Sequence, residues 1–203
     1  MTSRRHFLFF AAIAAPALVA PAIVHAQATE RAVAFVKATG DKLVAVVNGP
    51  GSAADKRQAL TKIIDSAVDV DGIARFCLGR FWRQASPEQQ KRYIDLFHQV
   101  LVTNITAKLG EYQGVKFTMG RGRQQDDEEI VSTTVERPNN PPTAVDWKVS
   151  QESGGMKIVD VIAEGTSLRL TQRQDYASYL SHNNNDVDAL ITAMRQQVNG
   201  QNG

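Results

Sequence analysis

Few side chains in this chain of 203 residues are placed to do chemistry. Asp160 is the most suggestive. In Ile158-Val159-Asp160-Val161-Ile162-Ala163-Glu164 a carboxylate lies between apolar neighbours. Facing an apolar hollow, it would be pushed toward its neutral form and could take a proton as a general base. The alternative is a structural aspartate, held by a backbone amide or by Arg169 or Arg173. No second acid or tyrosine is clearly paired with it, which favours the structural role. The acidic run Asp126-Asp127-Glu128-Glu129 lacks the ligand spacing of a calcium loop and reads as a solvated turn. Gly120-Arg121-Gly122 lacks the rest of any nucleotide fingerprint, and no Gly-x-Ser-x-Gly elbow occurs. Cys77 is the single cysteine, which excludes an internal disulfide. It ends Ile73-Ala74-Arg75-Phe76-Cys77, a helix face that would bury the thiol rather than activate it. His98 and His182 have no Cys or acid at metal-ligand spacing, so neither a histidine-based zinc site nor a cofactor is expected.

The elements that would position these groups fall into three blocks. The first is helical. Residues 30–47 put Ala32, Phe35, Val36, Leu43, Val46 and Val47 on one side, and Asn48-Gly49-Pro50-Gly51 stops them. Ser52 and Asp55 form a capping box for a second helix with the face Leu60, Ile63, Ile64, Ala67 and Val68. Asp71 is the expected cap of a short third helix through Leu78. Ser86-Pro87-Glu88-Gln89 opens the clearest helix. Its apolar face Tyr93, Phe97, Val100/Leu101, Ile105, Leu109 and Tyr112 predicts about six turns. The second block is strands: Val115–Met119, Ile130–Val135, then Val145, Trp147 and Val149 alternating with polar residues, then Met156–Ala163. The Pro138–Pro142 and Ser153–Gly155 turns imply an antiparallel meander. The third block is two helices, one capped through Thr171 and Gln174 and one by Asp186. The order predicts an α+β fold, with helices on one face of a curved antiparallel sheet of about four strands and an apolar cavity between them.

The N-terminus predicts export. Ser3-Arg4-Arg5-His6-Phe7-Leu8 places two arginines before an uncharged run broken by Pro16 and Pro21, the pattern of a twin-arginine leader. Val24-His25-Ala26 and Ala26-Gln27-Ala28 both offer small residues to a signal peptidase, so cleavage is expected after Ala26 or Ala28. A membrane anchor is the rival for a run of this length. The expected organisation is a leader over residues 1–26 and one domain over residues 27–203. Removing Arg4 and Arg5 lowers Lys+Arg from 23 to 21, against 21 Asp+Glu, so the mature chain is neutral. With no basic cluster interleaved with aromatics, no nucleic-acid partner is expected.

Two segments resemble a known family. Gly79-Arg80-Phe81-Trp82-Arg83-Gln84-Ala85-Ser86-Pro87-Glu88-Gln89, continuing through Tyr93 and Phe97, is similar to the Mla-system periplasmic phospholipid-binding proteins, the MlaC or toluene-tolerance family. Asp160-Val161-Ile162-Ala163-Glu164-Gly165-Thr166-Ser167-Leu168, followed by Thr171-Gln172-Arg173, resembles its second signature. The resemblance implies a cone like that of NTF2-like proteins, with acyl chains buried between helices and sheet. It implies a monomeric periplasmic shuttle whose cargo is phospholipid, not an enzyme. The implied partners are an outer-membrane lipoprotein complex and an inner-membrane ABC transporter with a ring-shaped substrate-binding component. Carried over by position, Ile105 and Thr166 match the pocket or its rim. Phe97, Leu101, Leu109, Tyr112, Val145, Trp147 and Val149 join them as expected lipid contacts, from their facing. A hopanoid-associated subgroup leaves a polycyclic lipid as an alternative cargo, and an NTF2-like enzyme using Asp160 as an alternative function.

Overall fold

The computed structural model describes residues 20–152 and 154–200. Residues 1–19, the bulk of the expected leader, lie outside the described residues, as does Ser153 of the expected turn. Six helices and a five-stranded sheet follow in the expected block order. The helices are α1 (Ala20–Asn48), α2 (Ala53–Ala67), α3 (Val70–Leu78), α4 (Pro87–Ala107), α5 (Leu168–His182) and α6 (Val187–Gly200). The strands are β1 (Lys116–Gln125), β2 (Glu128–Glu136), β3 (Thr143–Glu152), β4 (Gly155–Ala163) and β5 (Thr166–Ser167). They pair in sequence order, all antiparallel, so the meander and the α+β class hold.

Local chemistry sets the helix starts. Ser52 and Asp55 close a complete capping box on α2, and Ser86 and Gln89 another on α4, with Pro87 at the first helical position. Each box satisfies two helix-end amides that would otherwise lack partners. Three expectations shift. Asp69, not Asp71, caps α3 by accepting from the Gly72 amide at 3.0 Å. Ser167, not Thr171, caps α5, so that helix starts one turn earlier. The long helix ends at Ala107, and Leu109–Tyr112 form a separate 3-10 turn. The apolar spacing continues through both pieces, so periodicity alone could not see the break.

The strands also run longer than read. β1 continues through Gly120-Arg121-Gly122 by a bulge between Met119 and Gly122, where two residues oppose Ser132. Glu128 and Glu129 belong to β2 and are not a solvated turn; Asp126 and Asp127 alone make the turn. A fifth strand of two residues pairs Thr166 with Ala163 and Ser167 with Ile162, one more strand than expected.

Two separate apolar clusters hold the molecule. α1 lies on the sheet face carrying Val131, Trp147 and Val149, and joins Ala32 and Val36 to Val131 and Val149. At Gly122 a Cβ would stand 2.6 Å from the Thr29 methyl and 2.7 Å from a Val33 methyl, so the absent side chain lets α1 seat on β1. The larger cluster is all helical. It packs Cys77, Leu78, Tyr93, Phe97, Leu180, Leu190, Ile191 and Met194 from α3 to α6. Tyr93, Phe97 and Tyr176 form an aromatic triangle with centroids 6.0, 6.1 and 6.4 Å apart. α4 packs on α2, α3 and α6, while the sheet meets the helical layer along β4. There the Asp69 amide donates to the Ile158 carbonyl at 3.0 Å, extending the strand pairing into the α2–α3 junction. Among the described residues no helix is long and apolar enough to cross a membrane.

Candidate functional site

The expected contact residues fall into three places. Phe97 and Leu101 belong to the helical cluster, Phe97 fully inside it and Leu101 at its edge. Val149 and Trp147 belong to the sheet cluster under α1, with Val145 buried on the same sheet face. The Trp147 indole N–H donates to Thr133 Oγ1 at 2.8 Å, and its ring meets Phe117 edge-on at 6.1 Å. Ile105, Leu109 and Tyr112 gather where α4 ends. Leu109 and Tyr112 are half-buried, and the Arg137 guanidinium sits 5.0 Å over the Tyr112 ring. Ile105 is 38% exposed, on a helix whose other large apolar side chains are buried or half-buried. Thr166 is exposed on β5 at the far end of β4.

The end of α4 is tied to its neighbours by polar contacts. The Asn48 amide at the end of α1 donates to the Val115 carbonyl at 3.0 Å and accepts from the Gly114 amide at 2.8 Å. Arg57 on α2 donates to Thr103 Oγ1 at 3.0 Å, and Thr103 is buried. These bonds tie α2 to α4, and the end of α1 to the segment just after Tyr112.

Among the described residues the surface carries two open clefts that are not lined by the expected contact residues. One, of about 520 Å³, lies between the start of α1 and β1 and is lined by Ala26, Thr29, Glu30, Val33, Gly122 and Arg123. The other, of about 400 Å³, lies between α2, α3 and α4, with Val68, Val70 and Ile94 among four aspartates, His98 and Lys157. His98 pairs with Asp65 there at 2.6 Å.

Asp160 does not face the α1 side of the sheet. Register places it with Lys148 and Ile130 on the opposite face, where α3 and α5 cover it. Its carboxylate accepts from the Val161 amide at 2.8 Å, the Arg169 amide at 3.1 Å and Ser167 Oγ at 2.6 Å. Arg169 Nε lies 3.4 Å away. Buried, arginine-paired and held by three hydrogen bonds, the carboxylate fits the structural role and not that of a general base. Arg169 is the centre of the network. It also meets Glu128 at 3.2 Å, and Glu128 in turn pairs with Lys148. Burial pushes the Glu128 carboxyl up, but Lys148 and Arg169 outweigh it and hold the group below its usual range.

The two signature segments meet here. Arg169 and Arg173, one turn apart on α5, each lie 4.8 Å over the Phe76 ring, and Arg173 donates to the Phe76 carbonyl at 3.2 Å. Gly79 has φ +59, and a Cβ there would stand 3.2 Å from the Arg173 guanidinium carbon. A glycine is required both for the backbone and for the approach of Arg173. Cys77 Sγ donates to the Arg169 carbonyl at 3.4 Å. Burial first, and Asp160 next, push this thiol up to about 12, which makes it inert. Sequence reasoning did not find Phe76, Arg169 and Glu128 as one unit. The i, i+4 arginine pair on α5 was the available signal.

The MlaC protein family model matches residues 37–196. Over 142 residues the chain is 27% identical to the toluene tolerance protein ttg2D of Pseudomonas putida, covering 69% of this chain and 66% of that one, just under two thirds of its length. The solved structure of a phospholipid-binding protein from Ralstonia solanacearum, in complex with a phospholipid, superposes with a TM-score of 0.75 at 25% identity. That likeness covers 85% of this chain and 99% of the other.

Proposed function

Because the chain belongs to the MlaC family, we propose that it is a periplasmic carrier of phospholipid, moving single lipids between membranes. The likeness of its whole fold to a protein holding a phospholipid carries this reading. Two acyl chains present on the order of 30 methylenes, each worth about 0.8 kcal/mol on leaving water. Exposing both would cost roughly 24 kcal/mol, so a carrier must enclose them. The apolar rim of Ile105, Leu109 and Tyr112 is the proposed entry, with Phe97, Leu101, Val145, Trp147 and Val149 behind it and Thr166 at the rim on the strand side. Neutral charge after leader removal suits a protein that must leave anionic membranes as readily as it visits them. In this proposal the donors and acceptors of cargo are an outer-membrane lipoprotein complex and an inner-membrane ABC transporter with a ring-shaped substrate-binding component. The protein acts as a monomer and catalyses nothing.

The deciding experiment is solvent extraction of the purified protein, with mass spectrometry of what is released. About one diacyl phospholipid per protein is expected. Protein that emerges lipid-free, and stays so after incubation with liposomes, overturns the proposal; a polycyclic lipid instead would redirect it to the hopanoid-type cargo.

A further inference from the structure

We infer that the leader is removed between Ala28 and Thr29, and that the new Thr29 ammonium pairs with Glu129. The inference rests on the export part of the proposal above. Glu129 is only 9% exposed on β2. Among the described residues its carboxylate accepts from Thr29 Oγ1 at 2.7 Å and makes no ion pair, unlike Glu128 beside it, which meets both Lys148 and Arg169. A nearly buried carboxylate served by a hydroxyl is short of a cation. Thr29 also seats α1 on the sheet, since its methyl and that of Val33 fill the space left by Gly122.

Hydrolysis of the Ala28–Thr29 bond by a signal peptidase supplies what Glu129 lacks. Water gives its oxygen to the Ala28 carboxylate, residues 1–28 leave, and the Thr29 nitrogen becomes an ammonium. That nitrogen belongs to the residue whose hydroxyl already touches Glu129. The same cut turns the middle of α1 into a helix N-terminus, whose free amides and dipole favour a carboxylate. A cut after Ala26 would set the ammonium two residues earlier, about 3 Å along the axis and about 200° around it, on the other side of the helix. The charged groups lining the cleft beside Thr29 are Glu30 on α1 and Arg123 on β1, whose guanidinium is paired with Asp146 at 3.0 Å. The β1 and β3 residues opposite Glu129 are Gln124 and Val149, both uncharged.

The test has two arms. The full precursor is expressed in a bacterium with a twin-arginine exporter, and the soluble envelope form is sized by intact mass and N-terminal peptide. A chain starting at Thr29 is expected. A start at Gln27 overturns this inference alone, whereas uncleaved protein overturns the export reading as well. In the second arm, fusion proteins are cut to begin at Thr29 or at Gln27 and melted at pH 6.5 and 9.5. A free α-amino group titrates near about 8, and pairing with Glu129 raises that value. The stabilisation is therefore full below about 8 and is lost as pH rises through the folded value. The Thr29 form should melt roughly 2–4 °C above the Gln27 form at pH 6.5, with the gap closed at pH 9.5 and in Glu129→Gln. Equal melting of the two forms at pH 6.5 overturns the pairing.

Discussion

Ile105→Asp separates lipid retention from folding, because the structure leaves this side chain half outside the core. Full burial of an isoleucine is worth about 1.5–3 kcal/mol, and Ile105 already gives 38% of its surface to solvent. The substitution should therefore cost the empty domain only about 1–2 kcal/mol. At this chain length that lowers the melting temperature by roughly 2–8 °C. For the loaded protein the arithmetic differs. A carboxylate placed against acyl chains is either desolvated, at several kcal/mol, or forced to take up a proton. Even about 2.7 kcal/mol lost from cargo binding weakens it roughly a hundredfold. The assay is the mole ratio of extracted phospholipid to protein, read beside far-UV circular dichroism and a thermal melt. Ile105→Val, which removes one methylene, is the control and should keep its lipid. A folded Ile105→Asp protein with unchanged loading would remove the end of α4 from the binding surface and refute the rim assignment.

Asp160→Ala strips a buried carboxylate from Ser167, two backbone amides and Arg169, and should cost about 3–5 kcal/mol by thermal melt. Gly79→Ala forces a side chain to φ +59 beside Arg173 and should cost about 1–3 kcal/mol; restoration by Arg173→Ala in the double variant would trace part of that cost to the contact. Glu128 has a folded value below its unfolded one, so its stabilisation is full above about pH 4.3 and lost as pH falls through the folded value. Acid titration of Glu128→Gln should accordingly show a shallower loss of stability below about pH 4.3 than the parent. Cys77, buried and pushed up to about 12, should react with a thiol reagent at pH 8 only as fast as the protein unfolds; rapid labelling of native protein would contradict its burial.

The sequence made the fold legible wherever a local rule had one outcome. The capping boxes at Ser52 and Ser86 and the alternation of Val145, Trp147 and Val149 each appear as read. It failed where two local outcomes were equally allowed and tertiary contact chose. Ser167 and Thr171 can both cap a helix; pairing of Ser167 with Ile162 and its bond to Asp160 select the earlier start. Gly120-Arg121-Gly122 could turn or bulge, and pairing with β2 selects the bulge. The expected contact residues were harder still. Periodicity shows that Phe97 and Trp147 each face something apolar, but not that one faces α5 and the other α1. Asp160 is a structural aspartate held by Arg169, as the sequence favoured, but its face stayed open for a related reason: apolar neighbours along a strand do not say which face its own side chain takes.

The seating of α1 on the sheet also sets an order of assembly. Thr29 and Glu129, which touch at 2.7 Å, are 100 residues apart in the chain. Helices α2 and α3 both pack on α4, which follows them closely in the chain. Besides α2, α1 lies on β1 and β2 and reaches Val149 of β3, all of which are made long after it. The sheet-facing side of α1 is thus covered only after the strands are made, and closing so long a loop is slow. On the proposed export route the leader hangs from this helix. An exporter that transports folded chains would then receive the leader on a firm base only once the strands are in place, and the root of the signal would itself report on folding.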